Sequence, residues 1–180
     1  MKVVLDACVI YPSVLRAILL GVAAAGLYTP VWSERLLEEW ARATVKLGPG
    51  AEAQARADGF AMRAAFPQAM IRPQPGIEAR LHLPDENDIH VLAVAVASSA
   101  DAILTFNAVD FPRAVLAAER VERREPDGFL WVLWSHHPET VDQVLEHVRA
   151  QAQGLSGAPV AMKSLLKRAR LNRLAKAVQP

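Results

Sequence analysis

The sequence predicts an α/β fold: a short parallel sheet flanked by helices, followed by a C-terminal helical extension. Three observations carry this. Val3-Val4-Leu5 and Ala102-Ile103-Leu104-Thr105 are short, continuous runs of strand-forming residues. Such runs suit strands buried on both faces of a parallel sheet. Between them lie segments with apolar residues at helical spacing, so strands alternate with helices. From Pro126 onward only helical patterns remain.

The elements follow in order. Asp6 ends the first strand, and Pro12 opens a helix in which Leu15, Ile18, Leu19 and Val22 recur up to Gly26. Tyr28 to Trp32 reads as a short strand. Ser33 is a helix N-cap ahead of Leu36, Leu37 and Trp40, and Gly48-Pro49-Gly50 stops that helix. Ala51 to Ala65 is a third helix, Ala69 to Arg72 a weak strand, and Pro73 to Gly76 a loop. Pro84-Asp85-Glu86-Asn87 opens a helix bearing Leu92, Val96 and the small Ala93, Ala95 and Ala97. Asn107 to Phe111 is a loop, and Val121 to Glu125 a short edge strand. Beyond Pro126, helices are expected around Phe129 to Trp134, over Pro138 to Gln153 and over Val160 to Val178, with a linker at Gly154 to Pro159.

The bulk properties exclude several classes. With 180 residues, 52% of them apolar, the chain is long enough for one domain with a small appendage: 1–130 and 131–180. One cysteine, Cys8, rules out a disulfide within the chain and fits a reducing, cytoplasmic setting. Asp6 interrupts the apolar start too early for a secretory signal, and no apolar run is long enough to span a membrane. The net charge of +1 is uneven. Residues 158–180 hold Lys163, Lys167, Arg168, Arg170, Arg173 and Lys176 with no acid, which leaves the rest net negative.

Four carboxylates stand where chemistry is expected. Asp6 follows the first core strand, and Asp110 lies just beyond the second. The carboxyl ends of parallel strands are where ligands bind, because loops and helix N-termini converge there. Asp88 lies near the start of a helix lined with small residues, and Glu39 lies six residues after Ser33. If the sheet gathers them, like charges at close range require a compensating cation. Oxygen ligands suit Mg²⁺ or Mn²⁺, and no Cys or His has zinc-ligand spacing. One or two such ions can activate water, orient a phosphodiester and stabilise the leaving oxygen. Each acid has a plainer explanation: Asp88 as a helix cap, Glu39 as a solvated neighbour of Glu38. Asp6 is the hardest to explain away, since an acid ending so apolar a strand is costly unless it is paired or metal-bound.

The motifs resemble those of PIN-domain proteins. Val3 to Pro12 resembles the family's opening, and Ser33 to Glu39 its helix carrying a second acid. Asp88 to Ala95 resembles the segment with a third acid before small residues, and Thr105-Phe106-Asn107-Ala108-Val109-Asp110-Phe111-Pro112 its Thr-x-Asn-x-x-Asp-Phe signature. The four occur in the family's order over roughly residues 1 to 130. The resemblance implies a PIN-like three-layer fold and a Mg²⁺- or Mn²⁺-dependent ribonuclease, often the toxin of a VapC-type toxin–antitoxin pair. It implies Asp6, Glu39, Asp88 and Asp110 as the catalytic, metal-holding quartet, with Thr105 and Asn107 as supporting polar groups. RNA as substrate, a small antitoxin as partner and a homodimer are its further implications.

Two departures stand out. Many members carry a polar pair, often Thr-Asn, after the first acid. Ala7 and Cys8 stand there, which is expected to remove hydrogen bonds to Asp6, with Cys8 a small packing residue. Glu38 and Glu39 point about 100° apart on a helix, so one faces a cleft; the serine spacing favours Glu39. Asp85 is read as a helix cap rather than an extra ligand.

The remaining marked residues have competing readings. Lys163, Lys167, Arg168, Arg170 and Arg173 suit phosphate contact with RNA, a solvated helix face docked by its leucines, or an acidic antitoxin segment. His90 is a helix-face histidine beside the site. Trp32 and Trp40 are core, while Trp131 and Trp134 pack the extension on the domain. A catalytically silent binding module is the alternative to an enzyme. A phosphatase with Asp6 as nucleophile is disfavoured, because Cys8 occupies the place of its second acid.

Overall fold

In the computed structural model, which describes residues 1–178, β1 (Lys2–Leu5) is the centre of a five-stranded parallel sheet. The other strands are β2 (Thr29–Ser33), β3 (Met70–Ile71), β4 (Ala102–Leu104) and β5 (Glu122–Arg124), in the order β3-β2-β1-β4-β5. Val3, Val4 and Leu5 are buried, as are Ala102, Ile103 and Leu104, which suits runs with no polar face. Val3 pairs with Ala102, Val4 with Ile103 and Leu5 with Leu104. One further bond, from the Asp6 N–H to the Leu104 carbonyl at 3.2 Å, sets Asp6 beside Thr105.

Strand order reverses at β1. The chain steps from β1 to β2 and β3 on one side, then returns to β4 and β5 on the other. The crevice at the carboxyl ends of β1 and β4 is therefore the switch point where an open α/β sheet binds ligands.

Eleven helices flank or follow the sheet among the described residues. They are α1 (Ala7–Ile10), α2 (Ser13–Ala24), α3 (Glu34–Ala43), α4 (Ala51–Ala65), α5 (Pro75–Glu78), α6 (Ile89–Ser98), α7 (Arg113–Ala118), α8 (Pro126–His136), α9 (Pro138–Ser156), α10 (Met162–Arg168) and α11 (Asn172–Ala177). Ser33 caps α3 as its sequence context suggests, its Oγ accepting from the Leu36 N–H at 3.2 Å. Trp32 and Trp40 are fully buried, as expected of core residues.

The chain divides into two compact units. One holds Met1–Tyr11 and Tyr28–Arg124, hence the whole sheet. The other holds Pro12–Leu27 and the chain from Glu125 onward. Within the second, α2 packs on α9, and α8 on α9 and α11. Gly21 permits the α2–α9 approach, because a Cβ there would lie 2.5 Å from Val144 Cγ1.

Several local expectations are corrected. A short helix, α1, starts directly after Asp6, ahead of the helix that follows Pro12. The loop expected at Pro73 to Gly76 winds into α5, with Pro75 in its first turn where a missing N–H costs nothing. The helix expected to end at Gln153 runs on to Ser156, and Gly157 ends it with φ +67°. The single helix expected over Val160 to Val178 is two, α10 and α11. Arg170 takes a left-handed conformation, φ +63°, which breaks the helix and still leaves Leu166, Leu171 and Leu174 buried. The last two residues of the 131–180 segment lie outside the described residues. Trp131 and Trp134 make their described contacts inside the helical unit: the Arg173 guanidinium stacks 3.5 Å from the Trp131 ring centre, and Trp134 Nε1 donates to Asp142 at 2.9 Å. No helix among the described residues is long and apolar enough to cross a membrane.

Candidate metal centre

Asp6 is buried at the end of β1. It occupies the N-cap position of α1, but its side chain makes no capping bond. Its Oδ2 instead accepts from Thr105 Oγ1 at 2.7 Å and from the Cys8 thiol at 3.0 Å. The bond from Cys8 corrects one expectation. Replacing the polar pair by Ala7-Cys8 does not strip Asp6 of local donors, because the short helix α1 turns the thiol back onto the carboxylate. Burial, then the Asp6 charge, pushes the Cys8 thiol up to about 12, so the proton stays on sulfur and remains available to donate.

Thr105 continues from β4 and relays to the next loop. Its Oγ1 accepts from the Asn107 N–H at 2.9 Å. The Asn107 side-chain amide then donates to Asp110 Oδ2 at 2.6 Å and to Asp88 Oδ2 at 3.3 Å. One neutral amide thus spans two carboxylates that would otherwise repel. The loop is fixed from behind by Arg123 on β5, whose Nη1 donates to the carbonyls of Ala108 at 2.7 Å and Phe111 at 3.0 Å. The buried Phe111 anchors its far end. Arg123 has no signal in the sequence, because its role depends on the strand order.

Asp88 stands at the N-cap position of α6 and makes no side-chain capping bond, so its carboxylate is not spent on the helix. Burial first, then the charges of Asp6, Asp85 and Asp110, raise its carboxyl to about 6. Asp85 does cap the turn before α6, its Oδ1 accepting from the Asn87 N–H at 2.9 Å. Capping does not exhaust it, because Asp85, Asp88 and Asp110 each offer an oxygen within 4.8 Å of the others. Three hard oxygens at this spacing could hold a divalent cation.

Glu39 stands apart from that cluster. Its carboxylate accepts from Arg35 Nε at 3.0 Å and lies 3.1 Å from His90 Nε2. The imidazole contact is close but not aligned as a hydrogen bond. Burial alone would push Glu39 up, but His90 and Arg35 together hold it below the usual carboxylate range. His90 also acts electrostatically on Asp88. Glu38 is turned elsewhere. Arg56 first, then Arg42, hold it down at about 2 through hydrogen bonds.

The basic residues singled out in the tail, Lys163, Lys167, Arg168, Arg170 and Arg173, are all exposed on or beside α10 and α11. Arg173 covers the Trp131 ring.

A parallel α/β sheet with acids gathered near its switch point defines the class: an α/β protein with an acidic centre of a kind that could hold a cation. The family follows from comparison. The PIN domain model matches residues 2–108, more than half of the chain, and the chain belongs to the PIN-domain family, whose members are generally metal-dependent nucleases. The match ends two residues before Asp110. No curated protein and no solved structure matches the chain.

Proposed function

We propose that this protein is a divalent-metal-dependent endoribonuclease, acting as the toxin of a type II toxin–antitoxin pair. The observation that carries the catalytic reading is the convergence of Asp85, Asp88 and Asp110 within 4.8 Å, with Asp6 in their electrostatic field. Asp6, Asp88 and Asp110, with Asp85 added, would hold one or two Mg²⁺ or Mn²⁺ ions, and Glu39 would bound the site through His90. A bound ion supplies Lewis-acid polarisation of the phosphodiester and a lowered pKa for water.

The chain's own residues hold the centre in shape. Thr105 and Cys8 fix the Asp6 carboxylate by donating to the same oxygen, and Asn107 fixes Asp88 and Asp110 relative to each other. In this reading residues 1–130 form the nuclease domain and 131–180 a helical extension. Its Lys163, Lys167, Arg168, Arg170 and Arg173 contact RNA phosphates. A small antitoxin is the expected partner.

The test is cleavage of a mixed-sequence RNA in Mg²⁺ or Mn²⁺ by purified wild type and Asp6→Asn. Wild type should cut, and the variant should lose cleavage by about a hundredfold or more with its circular dichroism unchanged. Undiminished cleavage by Asp6→Asn would sink the site assignment.

A further inference from the structure

Beside the acidic centre, in the unit that carries the sheet, lies a cleft of about 290 Å³ between α3, the start of α6 and the segment through α5. Its size is just below the ~300–1,000 Å³ typical of small-molecule sites. Pro73 and Pro75 form one wall, and Ala93 and Val94 of α6 form another. Ser33, Arg35, Arg72, Gln74, Glu78 and His90 complete the lining. His90 is 3% exposed, and its Nδ1 has no hydrogen-bond partner. A buried imidazole nitrogen without a partner is costly and calls for one. Among the described residues the Arg72 and Glu78 side chains also make no hydrogen bond or ion pair, with each other or with any other group. Arg35 joins the cleft to the centre: it lines the cleft while its guanidinium bonds Glu39 and, at 3.2 Å, the Asn87 carbonyl next to Asp88.

We propose that this cleft is a subsite for a single unstacked nucleobase of the RNA, selecting a base whose edge offers adjacent N–H donors, guanine before the others. Single-stranded RNA is read by splaying out one base and bonding its exposed edge. The proline and Ala93–Val94 walls suit a planar ring. Glu78 accepts two N–H donors from a guanine edge, whereas adenine and uracil present an acceptor to that carboxylate in at least one of the two places. Arg72, exposed at the same slot, would meet the attached phosphate and offset the negative charge of the neighbouring acids. The inference rests on the ribonuclease reading for the polymer involved, but base binding itself requires neither metal nor cleavage.

The test is a chemical-shift titration of the full chain in EDTA with guanosine, adenosine, cytidine and uridine 5′-monophosphates. Guanosine monophosphate should bind about tenfold or more tightly than adenosine or uridine monophosphate, with shifts at Gln74, Glu78 and His90. Glu78→Gln and Arg72→Ala, two substitutions outside the core, should each weaken it about tenfold. Asp6→Asn should bind as wild type does, so failure of cleavage and failure of the subsite are read separately. Equal binding of all four nucleotides, or shifts that ignore both cleft variants, would overturn the proposal. Absence of binding at millimolar concentration would overturn it too, leaving the slot to a protein side chain.

Discussion

The Cys8 thiol donates to the Asp6 carboxylate across 3.0 Å, on the same oxygen that takes the Thr105 hydroxyl at 2.7 Å. A residue that looks apolar in the sequence thus acts as a donor to the central acid. Burial and the Asp6 charge keep its proton in place.

Cys8 should therefore be chemically inert in the native protein. Alkylation by iodoacetamide at pH 8 is expected to proceed at least about a hundredfold more slowly than in the unfolded chain, since the thiolate is the reactive form. Cys8→Ser keeps a donor and should retain metal affinity. Cys8→Ala should lose about 1 kcal/mol of stability, read from urea midpoints. Rapid labelling of the folded protein would contradict the buried, protonated thiol.

Asp88 gives the metal-free protein a pH dependence of definite sign. Its carboxyl is raised from 3.8 to about 6 in the folded state. Between those values the unfolded chain has released a proton that the folded chain retains, so stability falls as pH rises through that window and levels off above it. The group is only half-buried, and solvent screening leaves an effect of about 1 kcal/mol. Asp88→Asn should flatten this slope in EDTA and be the more stable protein at pH 7. Denaturation midpoints measured from pH 4 to pH 7 decide it. A wild-type curve that rises over this window beside a parallel Asp88→Asn curve would refute the assignment.

Asn107 separates two acids with one amide. Asn107→Asp would set a fourth carboxylate among Asp85, Asp88 and Asp110. We expect a loss of about 1–2 kcal/mol in EDTA, recovered on adding Mg²⁺. Asn107→Ala should instead lower cleavage about tenfold or more with a smaller effect on stability. Equal melting temperatures of wild type and Asn107→Asp in EDTA would count against this account of the loop.

The two adjacent glutamates should differ in kind. Glu38 is held by Arg42 and Arg56, whereas Glu39 meets His90 beside the acidic centre. Glu39→Gln is expected to reduce cleavage several-fold or more, and Glu38→Gln to leave it within about twofold, because exposed ion pairs carry little. Steady-state rates on one RNA substrate compare them directly. The reverse ranking would move the second acid by one place.

By itself the sequence determined the sheet's core strands, the Ser33 cap and the order of the acids. These follow from local chemistry: continuous β-branched runs cannot lie at a surface, and a serine ahead of an apolar helix caps it. It also placed Asp6 at a strand end, where a charge needs partners. Tertiary structure decided who those partners are. Residues 6 and 105 meet because β1 pairs with β4 in a particular register, and Arg123 reaches the 107–111 loop because β5 lies beyond β4. Sequence spacing cannot express either relationship. The same holds for Asp85, whose local bond is that of a cap and whose place beside Asp110 depends on how two distant loops converge. In the tail, periodicity suggested one helix, but a left-handed turn at Arg170 divides it while keeping the leucines buried. Burial of a face outweighs continuity of a helix, and that balance is set by the surface it packs against.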